Sequence, residues 1–260
     1  MIRLLHFTDT HLFADPAHVS YGVQPDATLQ AVLAAARARE RGCRAALVTG
    51  DLVHDAPAAY PRLRAHLATL DMPVHCVPGN HDDKAAMRRV FSSPPVTWQR
   101  SARYGNWLLV FLDSSVPGEV RGHLDETELT ALDGLLDGHA GSHALVCLHH
   151  PPRPCGMAWL DRGLVLDNPE ALFGVLDAHA NVRAVLWGHV HQAYDELRRG
   201  VRLLATPSTM AQFLPDAEEF ALDTARPGYR WLALGEDGTV ETGVERLSES
   251  LAGTRSGTCR

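Results

Sequence analysis

Five short segments, far apart in the chain, carry side chains of the types that bind metal ions. They are Asp9-Thr10-His11, Gly50-Asp51, Gly79-Asn80-His81-Asp82, His149-His150 and Gly188-His189-Val190-His191. A centre of two divalent transition metals needs about seven carboxylate, amide and imidazole donors, one of them shared. The segments offer three oxygen donors and four imidazoles: Asp9, His11, Asp51, Asn80, His149, His189 and His191. This set predicts a dinuclear centre that hydrolyses phosphoesters.

The chemistry expected of such a centre gives different tasks to Asp51 and His81. The Asp51 carboxylate has two oxygens and is the natural bridge between two cations roughly 3.5–4 Å apart. A water shared by both metals would lose a proton near neutral pH and, as a bridging hydroxide, attack phosphorus in line with the leaving oxygen. His81, flanked by Asn80 and Asp82, is the candidate for contacting the phosphate and protonating the leaving group.

The donors must be positioned by strands, because each donor segment follows a short apolar run. Strands are predicted over residues 2–8, 45–49, 73–77, 107–113, 144–149 and 182–187, and helices over 26–41, 57–70, 125–137 and 168–179. The first helix is expected to begin with Asp26 as its N-cap. The carboxyl ends of parallel strands meet in one crevice, which is where α/β active sites lie.

Spacing within the segments gives two local expectations. Two pairs of donors, Asp9 with His11 and His189 with His191, are two residues apart and would point the same way on extended backbone. A glycine precedes a donor at positions 50, 79 and 188. Glycine permits the unusual dihedrals and the close backbone approach that a turn from strand to donor requires.

The order of elements predicts two sheets between two layers of helix. Residues 2–187 alternate strand and helix as in βαβ units, whereas later apolar runs favour antiparallel strands over 193–198, 201–206, 229–234 and 239–243. We expect an α/β fold, a four-layer α/β/β/α sandwich of two mixed β-sheets flanked by helices. Residues 1–246 would form one domain, with 193–246 mainly antiparallel strands and 247–260 a frayed tail. The long loops 12–25, 114–123 and 150–167 are expected to serve the site.

Bulk composition narrows the classes of partner. The chain has 260 residues, with 31 Asp and Glu against 24 Lys and Arg. Binders of nucleic-acid backbones usually show a basic excess or stripe, so we expect no nucleic-acid partner. No apolar run reaches the length of about 18 residues that predicts a transmembrane helix, and no leader pattern precedes residue 2. The expected location is the cytoplasm, with no membrane partner.

The same segments resemble those of the calcineurin-like metallophosphoesterases, and the resemblance spans residues 2 to about 245. Within that superfamily the chain is most similar to class III cyclic nucleotide phosphodiesterases, the bacterial 3′,5′-cyclic AMP phosphodiesterases. The stretches that carry this finer resemblance are FTDTHLF at 7–13, LHHPP from 148, TPSTMAQF at 206–213, FALD from 220 and PGYRW ending at 231. The resemblance implies an enzyme that hydrolyses cyclic AMP to 5′-AMP, with the cyclic nucleotide as its small-molecule substrate.

The resemblance also implies a role for each candidate residue. One metal would be bound by Asp9, His11, Asp51 and His191, and the second by Asp51, Asn80, His149 and His189. His81 would be the catalytic residue near the phosphate, which would lie against His11, Asp51, Asn80, His81 and His191. The implied cofactors are two divalent or trivalent transition-metal ions, manganese or iron first, with zinc or cobalt also suited to this donor set.

Alternatives stay open at this point. The same chemistry would serve a broader phosphodiesterase acting on glycerophosphodiesters or 2′,3′-cyclic nucleotides, and the same fold would serve a non-catalytic scaffold. An exposed apolar edge among the C-terminal strands could support a homodimer. His54 and His150 either orient a donor or pack beside it. Met157, Trp159 and Phe213 either cap a purine by stacking or close a small satellite core.

Overall fold

Parallel strands form the middle of both large sheets in the computed structural model, which describes residues 1–248. The first sheet has seven strands: β1 (Ile2–Phe7), β2 (Cys43–Thr49), β3 (Val74–Val77), β4 (Ser92–Ser93), β5 (Val96–Thr97), β14 (Gly228–Leu234) and β15 (Val240–Arg246). Their order across the sheet is β15-β14-β1-β2-β3-β5-β4. Strands β1, β2, β3 and β5 are parallel, so their carboxyl ends lie at one edge.

The second sheet has six strands: β6 (Ser101–Tyr104), β7 (Trp107–Phe111), β8 (His143–Cys147), β9 (Val182–Trp187), β10 (Tyr194–Arg198) and β11 (Val201–Ala205). Their order is β10-β11-β9-β8-β7-β6, with β7, β8, β9 and β11 parallel. A separate two-stranded ribbon pairs β12 (Gln212–Phe213) with β13 (Leu222–Asp223). This ribbon becomes important at the site described below.

Six helices complete the described chain: α1 (Pro25–Arg39), α2 (Tyr60–Ala68), α3 (Lys84–Val90), α4 (Glu126–Asp137), α5 (Ala158–Asp161) and α6 (Pro169–Ala178). A short 3-10 turn, Pro57–Ala59, precedes α2 and occupies the start of the helix predicted over 57–70. None of the helices in residues 1–248 is long and apolar enough to cross a membrane.

Three buried clusters lie between four layers. Leu29 and Tyr60 of the first helices pack on the outer face of the first sheet. Leu47 and Leu186 belong to a second cluster, formed by residues of both sheets. Helices α4 and α6 cover the outer face of the second sheet through residues such as Leu172. The predicted α/β class, two mixed sheets flanked by helices, is confirmed.

The C-terminal strands form two antiparallel hairpins, and each hairpin joins one of the large sheets. Hairpin β10–β11 joins the second sheet because β11 pairs with β9 in parallel, and hairpin β14–β15 joins the first sheet through an antiparallel β14–β1 pair. An isolated hairpin is marginal in water, whereas a hairpin at a sheet edge buries one face. Residues 249–260 of the predicted tail lie outside the described residues.

Several local predictions were wrong or incomplete. Asp26 is not the N-cap of α1: the helix begins at Pro25, whose fixed φ suits the first helical position. The Asp26 carboxylate instead accepts from Arg62 Nε at 2.7 Å and lies 3.1 Å from His66 Nε2. Helices α3 and α5 and the short strands β4, β5, β6, β12 and β13 were not predicted. Asp83 caps α3 by accepting from Ala86 N–H at 2.8 Å.

Candidate active site

Every predicted donor lies just beyond the carboxyl end of a parallel strand. Strands β1, β2 and β3 of the first sheet and β8 and β9 of the second supply them. Six of the seven side chains are buried, and Asn80 is partly exposed. We call this set the donor floor: Asp9, His11, Asp51, Asn80, His149, His189 and His191. The two sheets therefore contribute to one site.

One half of the donor floor joins Asp9, His11 and His191. His11 Nε2 and His191 Nε2 are 3.2 Å apart, and Asp9 Oδ1 is 3.5 Å from His191 Nε2. Asp51 Oδ2 approaches this group, 3.6 Å from His11 Nε2. Four donor atoms at such separations can share a single cation.

The other half gathers around His149. Its Nε2 lies 3.1 Å from His189 Nδ1, 3.2 Å from Asn80 Oδ1 and 3.4 Å from Asp51 Oδ1. Asp51 thus directs one carboxylate oxygen toward each half. Its Oδ1 also accepts the backbone N–H of His81 at 3.0 Å, which fixes the carboxylate between the two halves. This arrangement suits a carboxylate that bridges two metals.

Backbone carbonyls determine which nitrogen of three histidines faces the site. Each ring donates one N–H to a carbonyl: His149 Nδ1 to Thr49 at 2.8 Å, His191 Nδ1 to Ala211 at 2.7 Å, and His189 Nε2 to Leu164 at 2.7 Å. In these tautomers, assigned from the hydrogen bonds, the other nitrogen turns a lone pair inward. The inward-facing nitrogens, His149 Nε2 and His189 Nδ1, are 3.1 Å apart, so their lone pairs need a cation or a proton between them. The residues therefore fit a pair of metal ions.

Electrostatics explain how these groups coexist inside the protein. Burial opposes ionisation of Asp51, but the nearby His149 imidazole holds the pKa of this carboxyl well below its usual value. Burial also disfavours a charged His149, yet the Asp51 carboxylate raises the pKa of His149 to about 9. Burial lowers the pKa of His11 to about 3 and that of His189 to about 4, so both imidazoles are neutral near pH 7. The raised pKa of His149 favours a proton on this ring beside the Asp51 carboxylate.

The backbone at the donors is not extended, so the condition under which the spaced pairs would point the same way is not met. The left-handed region holds Asp9 at φ 53°, His11 at 43° and Asp51 at 48°, and likewise His189 at 67° and His191 at 48°. Such values are uncommon for non-glycine residues and persist only where surrounding contacts impose them. Asp9 N–H donates to Gly50 O at 3.1 Å, one such contact. The strain lies on the donors themselves and marks the site.

The glycines beside the donors serve mainly to allow close approach. Of the three predicted positions, Gly50 alone has a positive φ, at 82°. A methyl group added at Gly188 would overlap Thr8 Oγ1, and one at Gly79 would overlap the Asp51 carboxylate. The close-approach part of the prediction is therefore confirmed, whereas the unusual dihedrals are carried by the donors.

His81 lies at the rim of the donor floor and is partly exposed. Its Nδ1 is 3.1 Å from Asp55 Oδ2, and its ring stacks on His54 with centroids 4.4 Å apart. With Nδ1 held by Asp55, Nε2 is the nitrogen available to a substrate. Asp55 was missed in the sequence, although it lies in the turn that follows Asp51.

His54 and His150, whose roles the sequence left open, differ in their hydrogen-bond partners. His54 Nδ1 is 3.1 Å from His11 Nδ1, so His54 accepts a hydrogen bond that orients a donor. Burial lowers the pKa of His54, which keeps it neutral as an acceptor requires. His150 has both nitrogens occupied, by Ser114 Oγ at 2.8 Å and Val120 O at 3.1 Å. It packs against its neighbours and is not placed as a ligand.

Asp82 ties the turns after β2 and β3 together. Its carboxylate accepts the N–H of Gly79 at 2.9 Å, the N–H of Leu52 at 3.1 Å and the Tyr60 hydroxyl at 2.8 Å. Burial, with the charge of Asp51, raises the pKa of Asp82 to about 7. These hydrogen bonds to Asp82 fix the turn that bears Asp51 relative to the turn that bears Asn80.

A cavity of about 250 Å³ opens above the donor floor. Four aromatic side chains line one side of it and form what we call the aromatic wall: Tyr21, Trp159, Phe213 and Phe220. Phe213 stacks on His191, with ring centroids 4.0 Å apart and planes at 8°. Of the two roles left open for Met157, the structure places it in the core: it is buried in the cluster beneath the second sheet's helices.

Comparisons with known proteins agree with this geometry. The sequence profile of the calcineurin-like phosphoesterases matches residues 2–193. The chain is 37% identical to the 3′,5′-cyclic adenosine monophosphate phosphodiesterase CpdA of Pseudomonas aeruginosa, over 95% of this chain and 91% of that protein. It is 39% identical to the CpdA enzyme of Escherichia coli K12, over 96% of this chain and 91% of that protein.

A solved structure shares the fold at much lower identity. A dimetal phosphatase from Danio rerio superposes with a TM-score of 0.65 and 18% identity, covering 94% of this chain and 98% of that one. At this identity the likeness concerns the arrangement of sheets and helices. It is consistent with the two-sheet architecture described above.

Proposed function

This chain belongs to the calcineurin-like phosphoesterase family, and on that premise we propose that it hydrolyses 3′,5′-cyclic AMP to 5′-AMP. It is a metal-dependent phosphodiesterase. The observation that carries the proposal is the donor floor, in which seven donors from five strand ends form two groups that share Asp51. The relatives named as cyclic AMP phosphodiesterases align over nearly the whole chain and favour this substrate over glycerophosphodiesters.

The family implies two divalent metal ions, and the donor floor offers a place for each. Asp9, His11, Asp51 and His191 would hold one ion, and Asp51, Asn80, His149 and His189 the other. Bound there, the ions would supply Lewis-acid stabilisation of the phosphate and a water acidic enough to act as nucleophile near neutral pH. We propose manganese or iron as the resident metals, because imidazole and carboxylate donors without thiolates suit them; zinc and cobalt also suit this set.

The chain's own residues would orient the substrate and move one proton. His11, Asp51, Asn80, His81 and His191 surround the position of the phosphate. Asp55 holds His81 by Nδ1, so protonated His81 would donate from Nε2 to the 3′-oxygen as its bond to phosphorus breaks. The 3′-hydroxyl is thereby restored and the phosphate stays on the 5′-oxygen. His54 would keep His11 in its ligating tautomer.

A side-by-side turnover measurement tests the proposal. The metal-loaded protein is incubated with cyclic AMP, cyclic GMP, 2′,3′-cyclic AMP and a glycerophosphodiester, and products are quantified by chromatography. We expect 5′-AMP from cyclic AMP at the highest kcat/KM. Absence of AMP from cyclic AMP, while a chromogenic aryl diester is cleaved, would contradict the substrate assignment. The homodimer, the exclusion of nucleic acid and the cytoplasmic location stay predictions.

A further inference from the structure

Two cavities meet at Asn80 and His81, and they differ in character. The cavity beyond His81, of about 500 Å³, is lined by ionisable groups that include Asp55, Asp83 and Lys84. The 250 Å³ cavity on the other side is bounded by the donor floor and by the aromatic wall. Apart from the donor floor and His81, the described residues that line it carry no charged side chain. A neutral, planar substituent on the phosphate fits the second cavity.

The aromatic wall is continuous with the donor floor and open at its outer end. Phe213 covers His191, and Phe220 lies 5.4 Å from Phe213 and 5.2 Å from Trp159 between ring centroids. Tyr21 follows, 5.7 Å from Phe220. Tyr21 is 51% exposed and Phe220 45% exposed, so both residues are accessible at the mouth of the cavity. An aromatic face of this kind stacks with any nucleobase.

Tyr21 occupies an uncommon backbone conformation in a tight turn. It is the first residue of a two-residue turn in which Ser20 and Val23 exchange backbone hydrogen bonds, both 2.9 Å. Its φ is 52° and that of Gly22 is 73°, the left-handed pair for which Asn-Gly is the favoured sequence. A bulky aromatic residue is disfavoured there, and half of its side chain is exposed. The ring therefore stays accessible at the outer end of the aromatic wall.

We propose that Tyr21 and Phe220 form a stacking clamp for the nucleobase of the cyclic nucleotide, and that this clamp sets the enzyme's affinity for its substrate. The inference rests on the proposed function and adds the residues that recognise the base. The phosphate lies on the donor floor, and the base extends outward along the aromatic wall to the exposed rings. Tyr21 comes from the loop before α1, and Phe220 lies just before strand β13. Neither residue contacts the reacting phosphate.

The Tyr21→Asn variant distinguishes an effect on recognition of the base from an effect on folding. Tyr21→Asn removes the ring and supplies a residue that the turn prefers, so the melting temperature should stay equal or rise. Loss of one stacking partner should raise KM for cyclic AMP about tenfold. The value of kcat should stay within about threefold, and competitive inhibition by inorganic phosphate should not change, because both report on the donor floor.

A matched control lies in another hairpin of the same type. Arg199 and Gly200, at φ 49° and 85°, connect β10 to β11 in a turn with the same dihedral pattern. Arg199→Asn should leave KM unchanged. A second pair of variants, Phe220→Ala and Leu197→Ala, compares a clamp ring with an aliphatic side chain that is 70% exposed and does not line this cavity. The first should raise KM about tenfold and the second should not.

The outcomes distinguish this inference from the proposed function. Unchanged KM in both Tyr21→Asn and Phe220→Ala, with wild-type turnover of cyclic AMP, would overturn the clamp and leave the function standing. Equal rises in the Arg199→Asn control would also overturn it. A wild-type enzyme that cleaves an aryl diester but not cyclic AMP contradicts the proposed function and, with it, the clamp.

Discussion

The donor floor and the aromatic wall line the same cavity but are built in opposite ways. The donor floor is buried except for Asn80 and lies at the ends of sheet strands. Most of its imidazoles make a hydrogen bond through the ring nitrogen that faces away from the site, as His149 does to the Thr49 carbonyl. The aromatic wall is carried by loops, the short helix α5 and a two-stranded ribbon, and its outer rings, Tyr21 and Phe220, are half exposed. Chemistry needs donors fixed within fractions of an ångström. Recognition of a flat base tolerates more freedom.

This contrast has a kinetic consequence. Changes in the donor floor should act on kcat and on metal affinity, because its atoms meet the reacting phosphate. Changes in the aromatic wall should act on KM, because stacking contributes equally to the bound substrate and the transition state. Each of the following predictions tests whether the two regions are separable in this way.

Replacing the shared carboxylate should have the largest effect. Asp51→Asn keeps the shape of the side chain but leaves one oxygen and no charge, so it cannot serve both halves of the donor floor. We expect kcat for cyclic AMP to fall about 10³-fold or more, with metal content reduced, as measured by steady-state kinetics and elemental analysis. Adenosine binding, which reports on the aromatic wall, should persist.

The control for Asp51→Asn is a surface aspartate of similar backbone conformation. Asp71 has a φ of 54°, and its side chain is 81% exposed. Asp71→Asn should retain wild-type turnover. Full hydrolysis by the Asp51→Asn enzyme would show that this carboxylate does not hold the metals.

Metal affinity should depend steeply on pH because of His149. In the metal-free protein its pKa is raised to about 9, so at neutral pH a bound metal must displace one proton. Apparent affinity for Mn²⁺ should therefore rise about tenfold per pH unit from pH 7 toward 9 and level off above. Calorimetry in two buffers of different ionisation enthalpy measures the released proton directly.

Protonation of His149 also makes the stability of the metal-free protein depend on pH, in a direction set by the raised pKa. A histidine whose pKa is raised on folding stabilises the fold fully below the unfolded value of 6.5, and this contribution is lost as the pH rises through about 9. Asp51→Asn removes the main cause of the raised pKa and should flatten the pH dependence of metal binding. If the metal affinity of the wild-type protein did not change with pH, a protonated His149 would be contradicted.

His54 should affect the donor floor while leaving the aromatic wall intact. His54→Ala removes the acceptor that orients His11, and loss of such an outer partner typically costs at least about tenfold in metal affinity. His54→Asn places an amide oxygen near the position of Nδ1 and should recover most of that affinity. KM for cyclic AMP at saturating metal should change little. Equal losses in the two variants would indicate packing instead of orientation.

The two regions also differ in how far the sequence could specify them. The donor floor was predictable because donor residue types follow apolar strand runs, and parallel strand ends converge. Its backbone was not: the predicted alignment of Asp9 with His11 depended on extended backbone, and both residues have positive φ. Local sequence gives no sign of this, because bonds from distant turns, such as His11 N–H to Asp51 O at 2.9 Å, impose the conformation. Tertiary contacts decided the geometry.

The aromatic wall was only partly visible in the sequence. Trp159 and Phe213 were candidates, but a helix of four residues and a strand of two are too short for a periodicity that says which rings face a cavity, and Met157 proved to be core. Tyr21 carried one usable signal, since Tyr-Gly occupies a turn where Asn-Gly is expected. The fold was predictable in its layers, whereas the sheet that each C-terminal hairpin joins was not, because strand pairing partners depend on which sheet edges are available.

Phe213 is where the two regions touch, and its replacement should give the smallest but most informative effect. One face of its ring covers His191 at 4.0 Å, and its edge contacts Trp159 at 5.3 Å and Phe220 at 5.4 Å. Phe213→Leu keeps apolar volume but loses the stacking, which contributes about 0.5–1.5 kcal/mol. Metal dissociation constant and KM should therefore each rise about threefold to tenfold, measured by calorimetry and by kinetics. Tyr21→Asn should change only KM and His54→Ala only metal affinity. If Phe213→Leu changed only KM or only the metal dissociation constant, the ring would belong to one region alone, and the donor floor and the aromatic wall would be fully separable.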